Sequence, residues 1–383
     1  MNPSTRALGT VLLILAWRTA DAHGQVAAGI AVESRAFGGS VAGEHASVET
    51  SLGLRARYQL YWDRRRQVIS LEAFARVGLA NSQRTHVDIR ELTWRRRWRS
   101  WELVAGMGIV SWGELESAGI VDVINQQDLI EGLHVHAKLG QPMMSVAWLR
   151  PWGTIEAFVL PWFRERAFKG REARLQSPLP VVPDTAVYAS GAGRHPGLAI
   201  RWTQAFGAVD VGVAVFDGID RDPRFQPFAH EGAVTGLVPV YHRVRRLGLH
   251  GRWMTGRWIW KVETALRRGQ SAAGVGVEYV PASFLSLLAE YLYDSRGAEA
   301  TTLFESDLFL GAQLRWLDGD ARLGAYVDRS SGDLLITGEA THRLRRNWTV
   351  AVGGSWRGGS TAGESPYAPR WTNRLSLTVR HLY

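Results

Sequence analysis

The feature that most constrains this chain is an alternation of apolar and polar residues with period two, recurring along almost its whole length. From Val48 to Trp62 one set of alternate positions reads Val48, Thr50, Leu52, Leu54, Ala56, Tyr58, Leu60 and Trp62. The other reads Glu49, Ser51, Gly53, Arg55, Arg57, Gln59 and Tyr61. Successive side chains of a strand point to opposite faces, so one face suits lipid and the other suits water. A soluble sandwich also alternates, but its apolar face seldom runs this far and closes on an aromatic. The pattern returns in Ile69, Leu71, Ala73, Ala75, Val77 and Leu79, and in Trp258, Trp260, Val262 and Leu266. It continues in Leu308, Leu310, Ala312, Leu314 and Trp316, and in Trp348, Val350, Val352 and Trp356. No helical period of comparable strength appears.

The first residues read as an export signal: Arg6, the apolar run Leu8 to Trp17, then Ala20-Asp21-Ala22, which fits the small-x-small cleavage rule. Cleavage is expected after Ala22, leaving 23–383 as the mature chain. The apolar run is about half of the roughly 20 residues a spanning helix needs. Beyond it no run is long enough for a membrane helix, which leaves a periplasmic protein or a barrel. The 17 Trp and 41 Gly suit a sheet protein with aromatic belts and tight turns. Absence of cysteine excludes disulfides, thiolate metal sites and a thiol nucleophile. The charge is +9, and +8 without the signal, nearly all of it arginine, since only Lys138, Lys169 and Lys261 are lysines. The basic residues are spread along alternating strands rather than gathered on a motif, which argues against nucleic acid as a partner.

The last residues add specificity. Tyr383, His381, Val379, Leu377 and Leu375 alternate with Leu382, Arg380, Thr378, Ser376 and Arg374. A terminal aromatic closing such an alternation resembles the signal by which outer-membrane barrels are handed to their assembly machinery, although His381 departs from an all-apolar face. Strands are expected near 26–38, 47–61, 67–79, 86–96, 100–110, 142–149, 154–162, 195–205 and 208–216. Nine more are expected near 239–254, 257–267, 271–280, 284–294, 305–316, 320–328, 333–343, 347–357 and 371–383. The expected fold is therefore an all-β transmembrane antiparallel β-barrel of the outer-membrane type with about 18 strands, or 16 if one hairpin merges. The even connections are all short, such as Arg64-Arg65-Arg66 and Thr255-Gly256, whereas the three longest irregular stretches, 111–141, 163–194 and 217–238, fall on odd ones. A wrong count would scatter them over both ends. If the chain starts in the periplasm, the long connections face outward from the cell.

Three stretches carry a resemblance: Ser111-Trp112-Gly113-Glu114 followed by Asp122 and Asn125-Gln126-Gln127-Asp128; Phe163 to Arg171; and Asp222-Pro223-Arg224-Phe225. They resemble a porin-like proteobacterial family of uncharacterised outer-membrane barrels with a Trp-Gly strand end and an Asn-x-x-Asp loop. Gln126 stands where relatives often have Pro. The resemblance implies outer-membrane transport, with an inner-membrane exporter of lipid type as a partner, and names no solute.

The connection 111–141 is too long for a hairpin loop and too rich in Ile, Val and Leu to float in solvent. It is expected to fold into the barrel mouth, making Trp112, Asp122, Asn125 and Asp128 constriction candidates. The alternative is a surface cap packed on itself. Asn125 and Asp128 can close a turn through their own backbone. Arg164, Glu165, Arg166, Lys169, Arg171 and Arg174 could contact anionic solutes or lipopolysaccharide, or form an internal salt-bridge network. The inward face carries Arg55, Arg57, Arg76, Arg257, Lys261, Arg267, Arg315, Arg343, Arg357, Arg374 and Arg380. Against them stand Asp63, Glu72, Glu263, Glu290, Asp307, Asp328 and Glu339. Such a basic excess favours anions, although cross-strand pairs also simply stabilise a barrel. Arg55, Arg57, Arg76, Arg164, Arg166 and Arg171 are the anion-contact candidates.

No nucleophile motif appears, and His134 with His136 lacks a third ligand at telling spacing, so no catalytic residue, metal or cofactor is expected. The expected role is a channel or export conduit for small anionic or amphipathic solutes or lipids in the Gram-negative outer membrane. The rivals are a structural or lipid-handling partner of an inner-membrane exporter and, third, a membrane-embedded hydrolase. Outer-membrane lipids and lipopolysaccharide are the expected surroundings.

Overall fold

A computed structural model of the chain describes residues 23–38, 48–79, 84–131, 137–168, 179, 181–182, 185–189, 195–297, 305–358 and 373–383. The expected signal 1–22, both loop histidines and Arg171 lie outside the described residues. The strands run β1 (His23–Gly38), β2 (Val48–Trp62), β3 (Gln67–Gly78), β4 (His86–Trp98), β5 (Trp101–Gly108), β6 (Gln141–Arg150) and β7 (Gly153–Leu160). Next come β8 (Val187–Tyr188), β9 (Gly197–Phe206), β10 (Val209–Ile219), β11 (Arg224–His230), β12 (Ala233–Tyr241), β13 (Arg243–Thr255) and β14 (Trp258–Arg267). The last are β15 (Gln270–Ala282), β16 (Leu285–Asp294), β17 (Ser306–Trp316), β18 (Gly319–Asp328), β19 (Leu334–Arg345), β20 (Trp348–Gly358) and β21 (Asn373–Leu382).

Eighteen of these strands form one antiparallel sheet in chain order, and β21 returns to pair with β1 from Gly29↔Leu382 to Gly38↔Asn373. Closure gives each of the eighteen strands a neighbour on both sides and leaves the barrel no open edge, as a sheet that crosses a membrane requires. The count is the expected 18 and not 16. Tyr383 completes the seam by donating its backbone N–H to the carbonyl of Ala28 at 2.8 Å. The connections at one end are tight turns, among them 99–100, 151–152, 207–208 and 256–257. Gly207 and Gly256 reach the left-handed backbone these turns need, with φ of 61° and 59°. The long connections all lie at the opposite end, hereafter the loop end.

Register puts the alternation to use. Between β2 and β3, Leu54 faces Ala75, Tyr58 faces Leu71 and Leu60 faces Ile69 on the outside, while Arg57 faces Glu72 inside. Around the circumference Leu54, Val77, Ile200, Val262, Val275, Leu310, Val352 and Leu377 are exposed. An apolar belt encircling a closed sheet fits lipid. At the turn end it gives way to aromatics, including Trp98, Trp101, Trp253, Trp258, Trp316 and Trp348.

Two expectations need correction. The segment 239–254 is not one strand, because the barrel strand begins at Arg243 and residues up to Tyr241 belong to β12. The stretch 217–238 is not irregular either, since β11 and β12 form an antiparallel hairpin that β8 joins in parallel. Two inward assignments also shift: Arg257 and Asp63 sit in tight turns rather than on the inner wall.

Towards the loop end of β5, β6, β7 and β10 the inner face is apolar as well. Val104, Met143, Phe158, Leu160, Ala199, Ala214 and Phe216 form a buried cluster with Trp112, Val121, Val123 and Ile124 of the loop between β5 and β6. The barrel's principal hydrophobic core therefore lies in its lumen.

Candidate functional site

The lumen is organised by residues 109–131 and 137–140, which leave β5 and turn inward. A loop buried in a barrel lacks strand partners for its backbone, and each unpaired N–H would be costly. Two wall carboxylates meet that need. Glu263 on β14 accepts hydrogen bonds from the backbone N–H groups of Glu114, Leu115 and Val121, the last two at 2.8 and 3.2 Å. Glu290 on β16 accepts those of Glu116 and Ser117, both at 3.0 Å, and the Ser117 hydroxyl. Tyr326 on β18 donates its hydroxyl to the Ser117 carbonyl at 3.2 Å. Gly113 makes the approach possible: its φ is +112°, and a Cβ there would collide with the Glu263 carboxylate.

On the opposite wall the attachment is ionic. In the β3–β4 ladder Glu72 pairs with Glu91 and Ala73 with Ile89, so Arg90 is an extra residue of a β-bulge. The bulge turns Arg90 inward, where it binds Asp128 at 2.5 Å and the Lys138 carbonyl at 2.9 Å. Arg76 holds Glu131 through two bonds of 2.7 and 2.6 Å, and also reaches Glu33 at 2.7 Å and Ser51 at 2.9 Å. Burial opposes ionisation of Glu131, yet the hydrogen bonds and charge of Arg76 hold its carboxyl below the ordinary 4.5.

The four constriction candidates share the loop but not one ring. Trp112 is buried edge-on to Phe158 at 5.6 Å. Asp122 binds Lys138, which also donates to the Val110 carbonyl at 3.0 Å and Ser111 at 2.9 Å. Burial pushes the Asp122 carboxyl above its ordinary value, and Lys138 counteracts only part of that. Asn125 does not close a turn on its own neighbours; it clamps the loop's stems, bonding the Gly108 and Leu139 carbonyls and the Val110 N–H, each at 2.8 Å. Asp128 does cap its own turn, accepting from the Ile130 N–H at 3.0 Å.

The two described arginines of the next loop lie behind this one. Arg164 binds Asp88 at 2.5 Å and the Gly140 carbonyl at 3.1 Å. Arg166 is buried and joins Gln126, Asp222 and the Arg221 carbonyl at 3.1, 2.7 and 2.8 Å. The three motif stretches, far apart in sequence, thus meet at one guanidinium. Arg166 and Arg296 outweigh burial and hold the Asp222 carboxyl below its ordinary range. Arg221 bonds the Val123 and Ile124 carbonyls at 3.0 and 2.7 Å, and burial pushes its guanidinium down to about 10.

Arg55, Arg57 and Arg76 are brought together. They line a cavity of about 400 Å³ between the loop and the wall formed by β19, β20, β21, β1, β2 and β3. Arg35, Arg374 and Arg380 join them, against Glu33, Glu131 and Glu339, so guanidinium groups outnumber carboxylates two to one. Three guanidinium groups gather at the Phe74 ring, those of Arg55, Arg76 and Arg90 lying 5.7, 5.5 and 5.0 Å from its centroid. The Nε of Arg374 is buried with no hydrogen-bond partner among the described residues. Sequence reasoning placed Glu263 and Glu290 inside but not as loop anchors, and it did not single out Glu33, Arg35, Arg90 or Glu131.

The closed antiparallel sheet and its lipid-facing belt define the class as a transmembrane β-barrel of the outer-membrane type. Among solved structures the chain is similar to mutant forms of the Rhodopseudomonas blastica porin. Three of these reach TM-scores of 0.47, 0.45 and 0.46 at 9%, 9% and 8% identity, each covering 94% of this chain and 100% of that one. A likeness this distant says nothing about solute or mechanism. No family model and no curated protein matches the chain.

Proposed function

We propose that the chain is an outer-membrane channel in which the inward loop narrows the lumen to an arginine-lined passage for small anionic solutes. The supporting observation is the approximately 400 Å³ cavity with six arginines against three glutamates, between a tethered loop and a wall of small residues. Glycine and alanine at 29, 31, 53, 351 and 353 keep that wall low, leaving room for a solute beside the guanidinium row. Basic side chains in a narrow, low-dielectric passage attract anions and exclude cations. The many buried ties of the loop favour a second reading, a plugged barrel of structural role. Planar-bilayer recording of the purified protein separates the two. A channel gives discrete conductance and a reversal potential of anion-selective sign in a salt gradient. A silent bilayer, or cation selectivity, removes the channel reading.

A further inference from the structure

On the outer surface at the turn end, four tryptophans of neighbouring segments form one cluster. Trp98 ends β4, Trp101 opens β5 directly opposite it, Trp148 of β6 faces Trp101, and Trp152 lies in the next turn. The rings of Trp101 and Trp148 stack at 5.5 Å, and Trp152 meets Trp148 edge-on at 5.4 Å. Arg96 and Arg150 fall on the same outward face two residues from a tryptophan each. Their guanidinium carbons lie 5.8 Å from the Trp98 ring and 4.8 Å from the Trp148 ring. Neither forms a salt bridge among the described residues. Their inward neighbours differ: Arg95 and Arg97 both pair with Glu102.

Two unneutralised guanidinium groups at the end of a lipid-facing surface are unusual, because charge is expelled from apolar belts unless something there compensates it. Stacking over indole holds each guanidinium at the level where lipid headgroups begin and leaves its N–H edge free for an anion. A second aromatic group further round the barrel, on β14 and β15, provides an internal contrast. Trp258 stacks with Trp260 at 6.3 Å and contacts Tyr279 at 4.4 Å, but no guanidinium lies over these rings among the described residues. That group is an ordinary interfacial anchor, whereas the β4–β7 cluster adds paired positive charge.

We propose that the β4–β7 tryptophan cluster with Arg96 and Arg150 is a binding site for the headgroup of an anionic glycerophospholipid in the leaflet that the tight turns face. The phosphodiester takes the guanidinium edges and the glycerol and first methylenes take the indole faces. This rests on the membrane-spanning reading but not on conduction through the lumen, so a barrel silent in bilayers can still carry the site.

The test uses the full mature barrel released from mixed phosphatidylglycerol and phosphatidylcholine nanodiscs, with retained lipids counted by native mass spectrometry. A basic residue near a membrane surface is worth about a fivefold preference for an anionic headgroup. Wild-type protein is expected to retain phosphatidylglycerol preferentially, and Arg96→Gln with Arg150→Gln to lose about thirtyfold of that preference. Arg96→Lys with Arg150→Lys should keep most of it, and Arg257→Gln, beside the second aromatic group, should change nothing. Equal retention of the two lipids by wild-type protein overturns the proposal without recourse to any variant. So does a double glutamine variant that retains phosphatidylglycerol as wild type does. A change of oligomeric mass in that variant with unaltered lipid counts also overturns it, by assigning the surface to a second copy of the chain.

Discussion

The two halves of this lumen solve opposite problems. Along β14 and β16 the wall offers Glu263 and Glu290, exposed by 0% and 1%, and every acceptor is taken by loop backbone. Along β2 it offers Arg55 and Arg57, whose side chains are 58% and 55% exposed and share the single carboxylate Glu72. One half uses charge to hold protein; the other leaves charge facing solvent. A carboxylate can accept several N–H bonds at once, so two glutamates replace the strand a buried loop lacks. A guanidinium has only donors to give, and an excess of them stays available for anions. Buried carboxylates in a barrel wall thus mark attachment, and half-exposed arginines mark passage.

The largest effect should come from removing the attachment. Replacing Glu263 and Glu290 together by Ala orphans five backbone N–H groups, each worth about 1–3 kcal/mol when buried without a partner. The loop should leave its seat, conductance should rise several-fold, and protease should cut within 109–131 while the barrel keeps heat-modifiable mobility. Deleting 122–128 should act in the same direction. Unchanged conductance in both variants would erase the distinction between the halves.

Next in size is the charge of the open half. Arg55→Gln with Arg57→Gln should cut anion preference, measured as reversal potential, by about twofold or more at low salt and less at high salt, where screening is stronger. Arg374→Gln with Arg380→Gln should add to it. Arg76 is a poorer probe, because its loss also frees Glu131. Selectivity that ignores all four substitutions would move the passage elsewhere.

A smaller effect is expected from acid. Arg76, Arg84 and His86 face Glu131, whose folded-state carboxyl titrates below its ordinary 4.5. A depressed carboxylate stabilises the attached loop above the ordinary value, and that contribution disappears as pH falls through the lower folded value. The step in conductance that Glu131 governs should therefore fall below that carboxyl's ordinary value, as a rise in strong acid. Glu131→Gln should raise conductance at neutral pH and abolish the acid step. A transition near neutrality would assign the latch to another group.

The smallest effect is a predicted near-absence. Arg164 is committed to Asp88 and the Gly140 carbonyl behind the loop. Arg164→Gln should leave reversal potential within error, and a large loss of anion preference would extend the basic passage into the outer mouth.

Much of the barrel was legible because lipid and water impose a strict period of two on any strand between them. The lipid and water faces of β2 and β3, the strand character of the last residues and the gathering of long connections at one end were all read from that period and the strand count it gives. The alternation fades where a third environment intervenes, although β5, β6, β7 and β10 run close to the expected 100–110, 142–149, 154–162 and 208–216. Towards the loop end of β5, β6, β7 and β10 both faces are apolar, because the inner one packs against Trp112, Val121, Val123 and Ile124. The start of β13 was displaced for a similar reason: Val240 and Tyr241 look like strand residues because they are one, in the small sheet rather than the barrel.

For the site, the residue types were readable and their partners were not. The sequence by itself determined a closed sheet, an arginine-rich interior and an apolar loop too long to remain in solvent. Only the tertiary structure decided that Glu263 and Glu290 hold that loop, that Arg76 latches it, and that Arg166 joins three distant motifs. Alternation is a local property, fixed by which face of each strand meets lipid. The choice between holding a loop and facing a solute depends on what lies across the lumen, up to 209 residues away in the chain, and no local pattern records it.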